Sequence, residues 1–262
     1  RVAVLGDGRV GRAVCELLET SWPGARVRLV ALGALPNLRD VDLAIGCLPG
    51  GFGPKALAAA LDASVDLVDV ADLDPPVYAP YAAAVRERGI RVIHGAGLSP
   101  GLVSMIVGHE LESGGCRAID VAAGSLSDRP HLFPFLWCFE DMVAEFEGPS
   151  VQLLDGVVSE VPAWSGLRAE QIGGVAAESY LCQSGFENLA AQAGLRRLTY
   201  RNLRPEGFHH FFRFLRAHGA FAPDRLDATR DFLQGARVHN RTMGRVIVER
   251  AAGMRRWWVE TR

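Results

Sequence analysis

The chain has 262 residues, of which 49% are hydrophobic and 22% charged, and its formal net charge is −2. This composition is typical of a globular protein with one large domain or two ordinary ones, and the low charge gives no nucleic-acid or membrane surface. Apolar runs end well short of the roughly 20 residues of a membrane span. Five scattered cysteines without a C-x-x-C pair argue against disulfides and a zinc site, so we expect a cytoplasmic protein.

The first part of the chain alternates strands and helices. Strands are predicted at residues 2–5, 27–31, 43–48, 66–70 and 91–94. Helices are predicted between them at residues 11–20, 54–62 and 78–88. This alternation predicts an α/β fold with a Rossmann-type parallel sheet covered by helices on both faces.

A glycine fingerprint lies between the first strand and the first helix. Gly6, Gly8 and Gly11 allow a tight turn and a close approach of the backbone to a ligand. The start of the helix offers backbone amides to a pyrophosphate. We therefore expect NAD or NADP at Gly6, Gly8, Arg9, Val10 and Gly11, and the alternative is a glycine-rich turn without a ligand.

The acidic residue that usually holds the adenosine ribose, about 20 positions later, is missing from this fingerprint. The segment between Ala31 and Asp42 is also short for a crossover between parallel strands, which takes at least about 10–12 residues. Either a strand–helix unit is absent, or residues after about Gly33 are not included in the sequence. In the first case we expect Arg39 to face a 2′-phosphate and NADP to be preferred, and in the second we expect an acid and NAD.

Further cofactor contacts are predicted where the third and fourth strands end. Leu48, Pro49 and Gly50 follow the third strand, and Asp72 follows the fourth. Loops at the carboxyl ends of parallel strands line the ligand crevice of such sheets. For Asp72 the alternative is a helix cap or a surface turn.

A third contact is predicted after the fifth strand. Ser99 is an N-cap residue type, Pro100 suits the first helical position, and Gly101 follows, so a helix is predicted from here to about Ser113. Its free amides suit a nicotinamide carboxamide or a substrate carboxylate. The alternative is an ordinary helix cap.

The pattern changes after residue 116. Strands are predicted at residues 119–124, 151–154, 157–161, 179–182, 198–200, 245–250 and 256–260, and a helix at residues 205–218. Asp155-Gly156 is a strong signal for a two-residue hairpin turn. We therefore predict a dinucleotide-binding domain at residues 1–116. It is followed by an α+β substrate and dimerisation domain at residues 117–262, with a mostly antiparallel sheet.

Several motifs together resemble the saccharopine dehydrogenase superfamily, and its lysine 6-dehydrogenase-like branch is the nearest. These motifs are the glycine fingerprint, IGCLPG, DLVDVAD, RVIHGAGLSPGL and VPAWSGL. The resemblance implies an NAD(P)-dependent oxidoreductase that acts on the C–N bond of an amine or imine, on an amino acid or a related small metabolite. It also implies an active site between the domains and a homodimer.

The sequence departs from the family at two places. Family members often carry an acid where Ser99 stands, and the Tyr-Lys pair suggested for the nearest branch has no match near residues 131–139. Two alternatives therefore stay open: a catalytically inactive relative that acts as a binding or scaffold protein, and a saccharopine or carboxy-polyamine-type reductase. The remaining candidates for proton transfer are His131, Glu178, Tyr180 and the pair His209-His210, for which the alternative is a packing or surface role on the predicted helix. Glu178 and Tyr180 lie where the family's substrate domain reaches towards the nicotinamide.

Overall fold

The computed structural model describes residues 1–31, 38–71, 75–129, 132–134, 138–183, 186, 189, 194–235 and 238–261. The chain divides into two compact units, Arg1–Gly101 and Leu102–Arg262. The sequence-based boundary lies later, after residue 116. The difference is the helix Leu102–Glu112, which packs against strands of the second unit and so belongs with it.

The first unit is a parallel sheet with helices. Its strands are β1 (Val2–Leu5), β2 (Val27–Val30), β3 (Leu43–Gly46), β4 (Asp66–Asp69) and β5 (Val92–Ile93). Its helices are α1 (Arg9–Ser21), α2 (Gly53–Ala63), α3 (Pro75–Tyr78) and α4 (Ala82–Arg88). The strands pair in parallel in the order β2-β1-β3-β4-β5. The predicted Rossmann-type sheet is therefore confirmed.

The burial of β1 explains its sequence. All four residues of Val2–Leu5 are buried, since β1 lies between β2 and β3 inside the sheet. A parallel sheet is covered on both faces, so its central strands are continuous apolar runs. Leu5 packs in one cluster with Leu57 and Leu61 of α2.

The second unit is built on a mixed sheet. Its strands are β6 (Cys116–Ser127), β7 (Pro149–Leu154), β8 (Val157–Pro162), β9 (Arg168–Ile172), β10 (Val175–Leu181), β11 (Arg197–Pro205), β12 (Asn240–Arg250) and β13 (Gly253–Thr261). Its helices are α5 (Leu102–Glu112), α6 (Phe139–Ala144), α7 (Phe208–Ala217) and α8 (Leu226–Gln234). The strand order is β13-β12-β6-β11-β10-β9, and β7 pairs with both β11 and β8. Within this second sheet, β6 and β11 are the only described strands that pair in parallel.

The predicted hairpin at Asp155-Gly156 is confirmed. These residues join β7 to β8 and have φ angles of 51° and 83°. Such left-handed angles give the turn that suits the twist of two antiparallel strands.

None of the helices in the described part of the chain is long and apolar enough to cross a membrane.

One buried carboxylate attaches α5 to the end of the mixed sheet. Glu110 is fully buried and accepts hydrogen bonds from Arg250 Nη2 at 2.6 Å, Arg255 Nη1 at 3.0 Å and Trp257 Nε1 at 2.8 Å. Burial alone would raise the pKa of Glu110. The hydrogen bonds from these three partners outweigh it and lower the pKa from 4.5 to about 2.

Replacing this carboxylate should destabilise the fold in a pH-dependent way. We expect Glu110→Gln to lower the free energy of unfolding by about 2 kcal/mol or more near neutral pH, because it removes a buried charge from its partners. A carboxylate whose pKa is lowered on folding stabilises the fold at pH values above its pKa in the unfolded chain. This stabilisation is lost as the pH falls through the pKa of the folded protein. The difference in the free energy of unfolding between Glu110→Gln and the parent should therefore shrink as the pH falls from 4.5 to about 2.

Urea denaturation across this pH range measures the effect. Glu112→Gln, on the exposed side of the same helix, is the matched control and should change stability little at any pH. Equal losses in the two variants, or a loss for Glu110→Gln that does not depend on pH, would contradict the role given to Glu110.

Candidate functional site

Two glycines where β1 is joined to α1, one in the turn and one in the first turn of the helix, leave no room for a side chain. Gly6 has a φ angle of 118°, and a Cβ there would lie 2.5 Å from the carbonyl oxygen of Cys47. A Cβ on Gly11 would overlap the carbonyl oxygen of Gly6. Gly8 differs, because a Cβ there would meet nothing within 4 Å. The fold therefore requires Gly6 and Gly11, whereas Gly8 borders open space.

The start of α1 suits an anion. Gly8 is the N-cap, no side chain in the described part of the protein caps the helix, and its first turn has no acidic residue. The first amides of a helix have no partner within the helix, and together with the dipole they favour negative charge. Arg9 and Val10 lie in this first turn, and the Nε of Arg12 donates to the carbonyl of Asp7 at 2.8 Å to hold the loop.

The loop after β3 lies beside the glycine turn. The amide of Cys47 donates to the carbonyl of Leu5 at 2.8 Å, which continues the pairing of β1 and β3. Leu48 is buried in the core, and its side chain would lie 3.3 Å from a Cβ on Gly6. Pro49 and Gly50 follow and lead into α2. The structure thus places Leu48 next to the fingerprint, and its contact with a cofactor stays a prediction.

A buried acid that sequence analysis did not select ends β4. Asp69 is fully buried, its Oδ1 accepts a hydrogen bond from the Ala71 amide at 2.9 Å, and its Oδ2 has no partner among the described residues. It fits because Gly46 is opposite, where a Cβ would lie 2.5 Å from Oδ1. Burial raises the pKa of Asp69 from 3.8 to about 6, although the Ala71 amide opposes this.

The prediction for Ser99 and Pro100 as helix start is wrong. The helix α5 begins at Leu102. A tight turn precedes it, in which the Gly97 amide donates to the Pro100 carbonyl at 3.0 Å and a Cβ on Gly101 would overlap the Gly97 backbone. The Ser99 hydroxyl is buried without a hydrogen-bond partner among the described residues, so it does not cap the helix.

Glu178 has a structural contact that the sequence did not predict. Its two carboxylate oxygens accept the backbone amides of Gly207, at 2.9 Å, and of His209. These amides lie at the start of α7, so the Glu178 carboxylate on β10 accepts the hydrogen bonds that an N-cap side chain would otherwise accept. Its role in proton transfer stays a prediction.

Tyr180 is enclosed in an aromatic cluster. Its side chain is fully buried, and its ring lies 5.1 Å from that of Trp164 and 5.6 Å from those of Phe146 and His209. Burial raises the pKa of the phenol well above its ordinary value. The hydroxyl therefore keeps its proton at neutral pH, and it has no hydrogen-bond partner among the described residues.

Two predicted site residues, Asp72 and His131, lie outside the described residues. Conversely, two polar residues of β11 that the sequence analysis missed are buried beside Tyr180. Asn202 is directly opposite Tyr180 in the sheet, and Arg204 is opposite Glu178. Their signal was the alternation of polar residues at 202 and 204 within a strand that was predicted only as far as Tyr200.

The burial of Asp69 predicts a measurable cost to stability. Folding raises the pKa of Asp69, so burial of this carboxyl lowers the free energy of unfolding only where the carboxyl is ionised. This loss of stability is absent below a pH of 3.8 and is complete above a pH of about 6. We expect Asp69→Asn to be more stable than the parent by on the order of 2 kcal/mol above neutral pH, and equal to it near the lower value. Urea denaturation at both ends of this range measures it.

Asp66→Asn, on the same strand, is a control for which we expect the opposite change in stability. Asp66 accepts three hydrogen bonds from Arg91, at 2.8 Å, 2.9 Å and 2.5 Å, which lower its pKa. That variant should lose stability at neutral pH. If Asp69→Asn also loses stability there, the burial of Asp69 is not a cost to the fold.

No family model matches the sequence, and no curated protein sequence matches it. Among solved structures, the chain is similar to saccharopine dehydrogenase (L-Glu forming) from Saccharomyces cerevisiae. The TM-score is 0.74 at 16% identity, over 99% of this chain and 85% of that one. It is also similar to a probable dehydrogenase from Thermotoga maritima, with a TM-score of 0.50 at 10% identity over 100% of this chain and 76% of that one. At these identities the likeness concerns the fold, and the chain therefore has the saccharopine dehydrogenase fold that its motifs predict.

Proposed function

We propose that the chain is an NAD(P)-dependent oxidoreductase that acts on the C–N bond of an amino acid or a related metabolite. The observation that carries the proposal is the uncapped start of α1 at Gly8, with open space where a side chain would be. Such a helix start at the carboxyl edge of a parallel sheet is a ready-made pyrophosphate site.

The residues of the first unit fit a dinucleotide. The first-turn amides of α1 would hold the pyrophosphate, and Gly8 leaves room for it. The loop 48–50 follows β3, which pairs with β1, so it borders the same edge of the sheet. When bound, NAD(P) supplies a hydride acceptor or donor at its nicotinamide ring.

Asp69 is a candidate for holding a proton at this edge. Groups with perturbed pKa values cluster at functional sites, and its pKa of about 6 lets it exchange a proton near neutral pH. Its Oδ2, which has no hydrogen-bond partner among the described residues, is the atom that would do so. The catalytic roles of Tyr180, Glu178 and His131, the homodimer and the cytoplasmic location belong to the same proposal.

Substitution at Gly8 tests the dinucleotide site without disturbing the fold. Gly8 has a φ angle of −71°, which any residue adopts, and a Cβ there contacts nothing. We expect Gly8→Val to fold normally and to weaken dinucleotide binding about 100-fold or more, because the branched side chain fills the space of the pyrophosphate. Calorimetry with NAD, NADH, NADP and NADPH measures the affinities.

Gly24→Val is the matched control, since Gly24 is exposed and a Cβ there also meets nothing within 4 Å. It should bind as the parent does. If none of the four dinucleotides gives heat or a thermal shift with the parent chain, the proposed function fails. The same titrations decide between NAD and NADP, and Arg39→Ala should weaken NADP binding more than NAD binding if Arg39 faces the 2′-phosphate.

The reaction class is tested by turnover. We expect absorbance at the reduced-nicotinamide band to change with members of a panel of lysine, saccharopine, diamines and cyclic imines, and not with alcohols. Activity on alcohols alone would reject the C–N bond. Cofactor binding without turnover on any member would favour the inactive relative.

A further inference from the structure

Strand β13 is one edge of the mixed sheet in the second unit. It is nine residues long and pairs with β12 on one side, and no described strand pairs with its other side. None of its residues is buried, and its register with β12 has no bulge. A long, regular edge strand of this kind is a template on which a strand of another chain can pair.

The turn that joins β12 to β13 decides which backbone groups of β13 point outwards. Arg250 and Gly253 are paired across a two-residue turn, in which the Gly253 amide donates to the Arg250 carbonyl. Hydrogen-bonded pairs alternate along antiparallel strands, so every second residue from Gly253 bonds to β12. The amides and carbonyls of the residues between them, Arg256, Trp258 and Glu260, therefore point away from β12.

The side chains of these three outward-facing residues lie on one face of the sheet, since they alternate along the strand. Trp258 is 45% exposed. The guanidinium of Arg256 is exposed, contacts the sulfur of Met254 at 3.8 Å and forms no ion pair with a described residue. A cation, an exposed indole and a carboxylate thus follow each other along this face.

This order of side chains is complementary to its own reverse. When a second copy of β13 lies antiparallel with the two-fold axis at Trp258, Arg256 is opposite Glu260 of the second copy. Glu260 is likewise opposite the second Arg256, and the two Trp258 side chains are opposite each other. Each of these three pairs exchanges two backbone hydrogen bonds, because all of its members point outwards. On the other face Trp257 is opposite Val259 of the second copy, an aromatic and β-branched pair that stabilises sheets.

Other two-fold registers lose this complementarity. An axis at Arg256 places the two Arg256 side chains opposite each other, and like charges in that position are destabilising. An axis at Trp257 places Glu260 opposite Met254. An axis between two residues places outward-facing residues opposite residues that bond to β12, so no ladder forms.

The opposite edge of the mixed sheet does not have these properties. Strand β9 has only five residues. Its two charged side chains are already paired within the unit, Arg168 with Asp120 at 3.4 Å and Glu170 with Arg245 at 3.0 Å. Short, charged strands are a common protection of sheet edges. The argument for pairing with another chain therefore concerns β13.

We propose that β13 pairs edge to edge with β13 of a second copy of this chain, antiparallel and with the two-fold axis at Trp258. Such an interface uses the same surface of both copies and closes as a dimer. The Oε1 atom of Glu260 keeps its hydrogen bonds from Arg241, at 3.0 Å and 2.9 Å, because a carboxylate accepts several donors. The inference rests on the homodimer of the proposed function, for which it names the surface.

Charge reversal tests the predicted pairs. We expect the parent to sediment as a dimer in sedimentation velocity over a series of concentrations. Arg256→Glu turns both Arg–Glu pairs into Glu–Glu pairs, so it should raise the dissociation constant of the dimer about 100-fold or more. Arg117→Glu, at an exposed position on β6 of the same sheet, changes the net charge equally and should associate as the parent does.

Mixing two charge variants tests the register. Glu260→Arg alone places two arginines opposite each other at both pairs, so it should also be monomeric. A mixture of Arg256→Glu and Glu260→Arg has opposite charges at both pairs and should form a dimer of the two variants. Damage to the fold of either variant would not restore association in this way. If both variants are folded and their mixture stays monomeric, the proposal is overturned.

A proline tests the backbone hydrogen bonds, and it decides if Glu260→Arg does not fold for lack of the contact with Arg241. Trp258→Pro removes an amide that points away from β12, a position at which edge strands accept proline. It should therefore keep the hairpin and be monomeric. Trp258→Phe keeps the amide and an aromatic ring, and it should remain a dimer. A dimer that persists in both Arg256→Glu and Trp258→Pro would overturn the proposal.

The outcomes separate this inference from the proposed oxidoreductase, since sedimentation needs no cofactor. A parent chain that is monomeric at every concentration but binds a dinucleotide would reject the β13 interface and leave the oxidoreductase standing. A parent chain that binds none of the four dinucleotides but forms a dimer that Arg256→Glu dissociates would support the interface and reject the oxidoreductase.

Discussion

Two carbonyl oxygens exclude side chains from the turn between β1 and α1, and the organisation of the first unit depends on this constraint. The Cys47 carbonyl occupies the position of a Cβ on Gly6, and the Gly6 carbonyl that of a Cβ on Gly11. Glycine at both positions lets α1 start directly at the end of β1, close to the β3 strand end. The amides at the start of α1 then face the carboxyl edge of the sheet without a capping side chain, which is the requirement for binding a diphosphate.

Features with a local cause could be predicted from the sequence. The glycine turn depends on the φ of 118° at Gly6, which glycine adopts easily, and the Asp155-Gly156 hairpin depends on two residues with positive φ. The start of α5 was predicted wrongly because Ser99 and Pro100 suit both a helix start and a turn. The close approach of Gly97 and Gly101, which decides for the turn, is not a property of either residue.

Features that depend on pairing between distant strands could not be predicted. Strand β9, with the sequence RAEQI, has no apolar alternation and forms because it pairs with β10. Glu178 is a candidate catalytic acid by residue type, yet its carboxylate accepts hydrogen bonds from the amides at the start of α7. One of these amides, that of Gly207, lies 29 residues further along the chain. Arg201 and Arg204 look equivalent in the sequence. The pairing of β11 with β10 places Arg201 beside Ser179 and Arg204 on the opposite face, among polar atoms that have no hydrogen-bond partner within the described residues.

The two units differ in whether the backbone or the side chains carry their candidate functional features. In the first unit the backbone forms the candidate dinucleotide site, so the sequence is restricted mainly at glycines and many residues fit elsewhere. In the second unit polar side chains such as Arg204 and Asn202 are buried on β11, whose pairing with β10 is made by the backbone, so a substitution of these side chains leaves the pairing of the strand intact. This division explains how a chain keeps a TM-score of 0.74 to saccharopine dehydrogenase at 16% identity. The fold therefore restricts the glycines that join β1 to α1, whereas it restricts the buried polar side chains of the second unit much less.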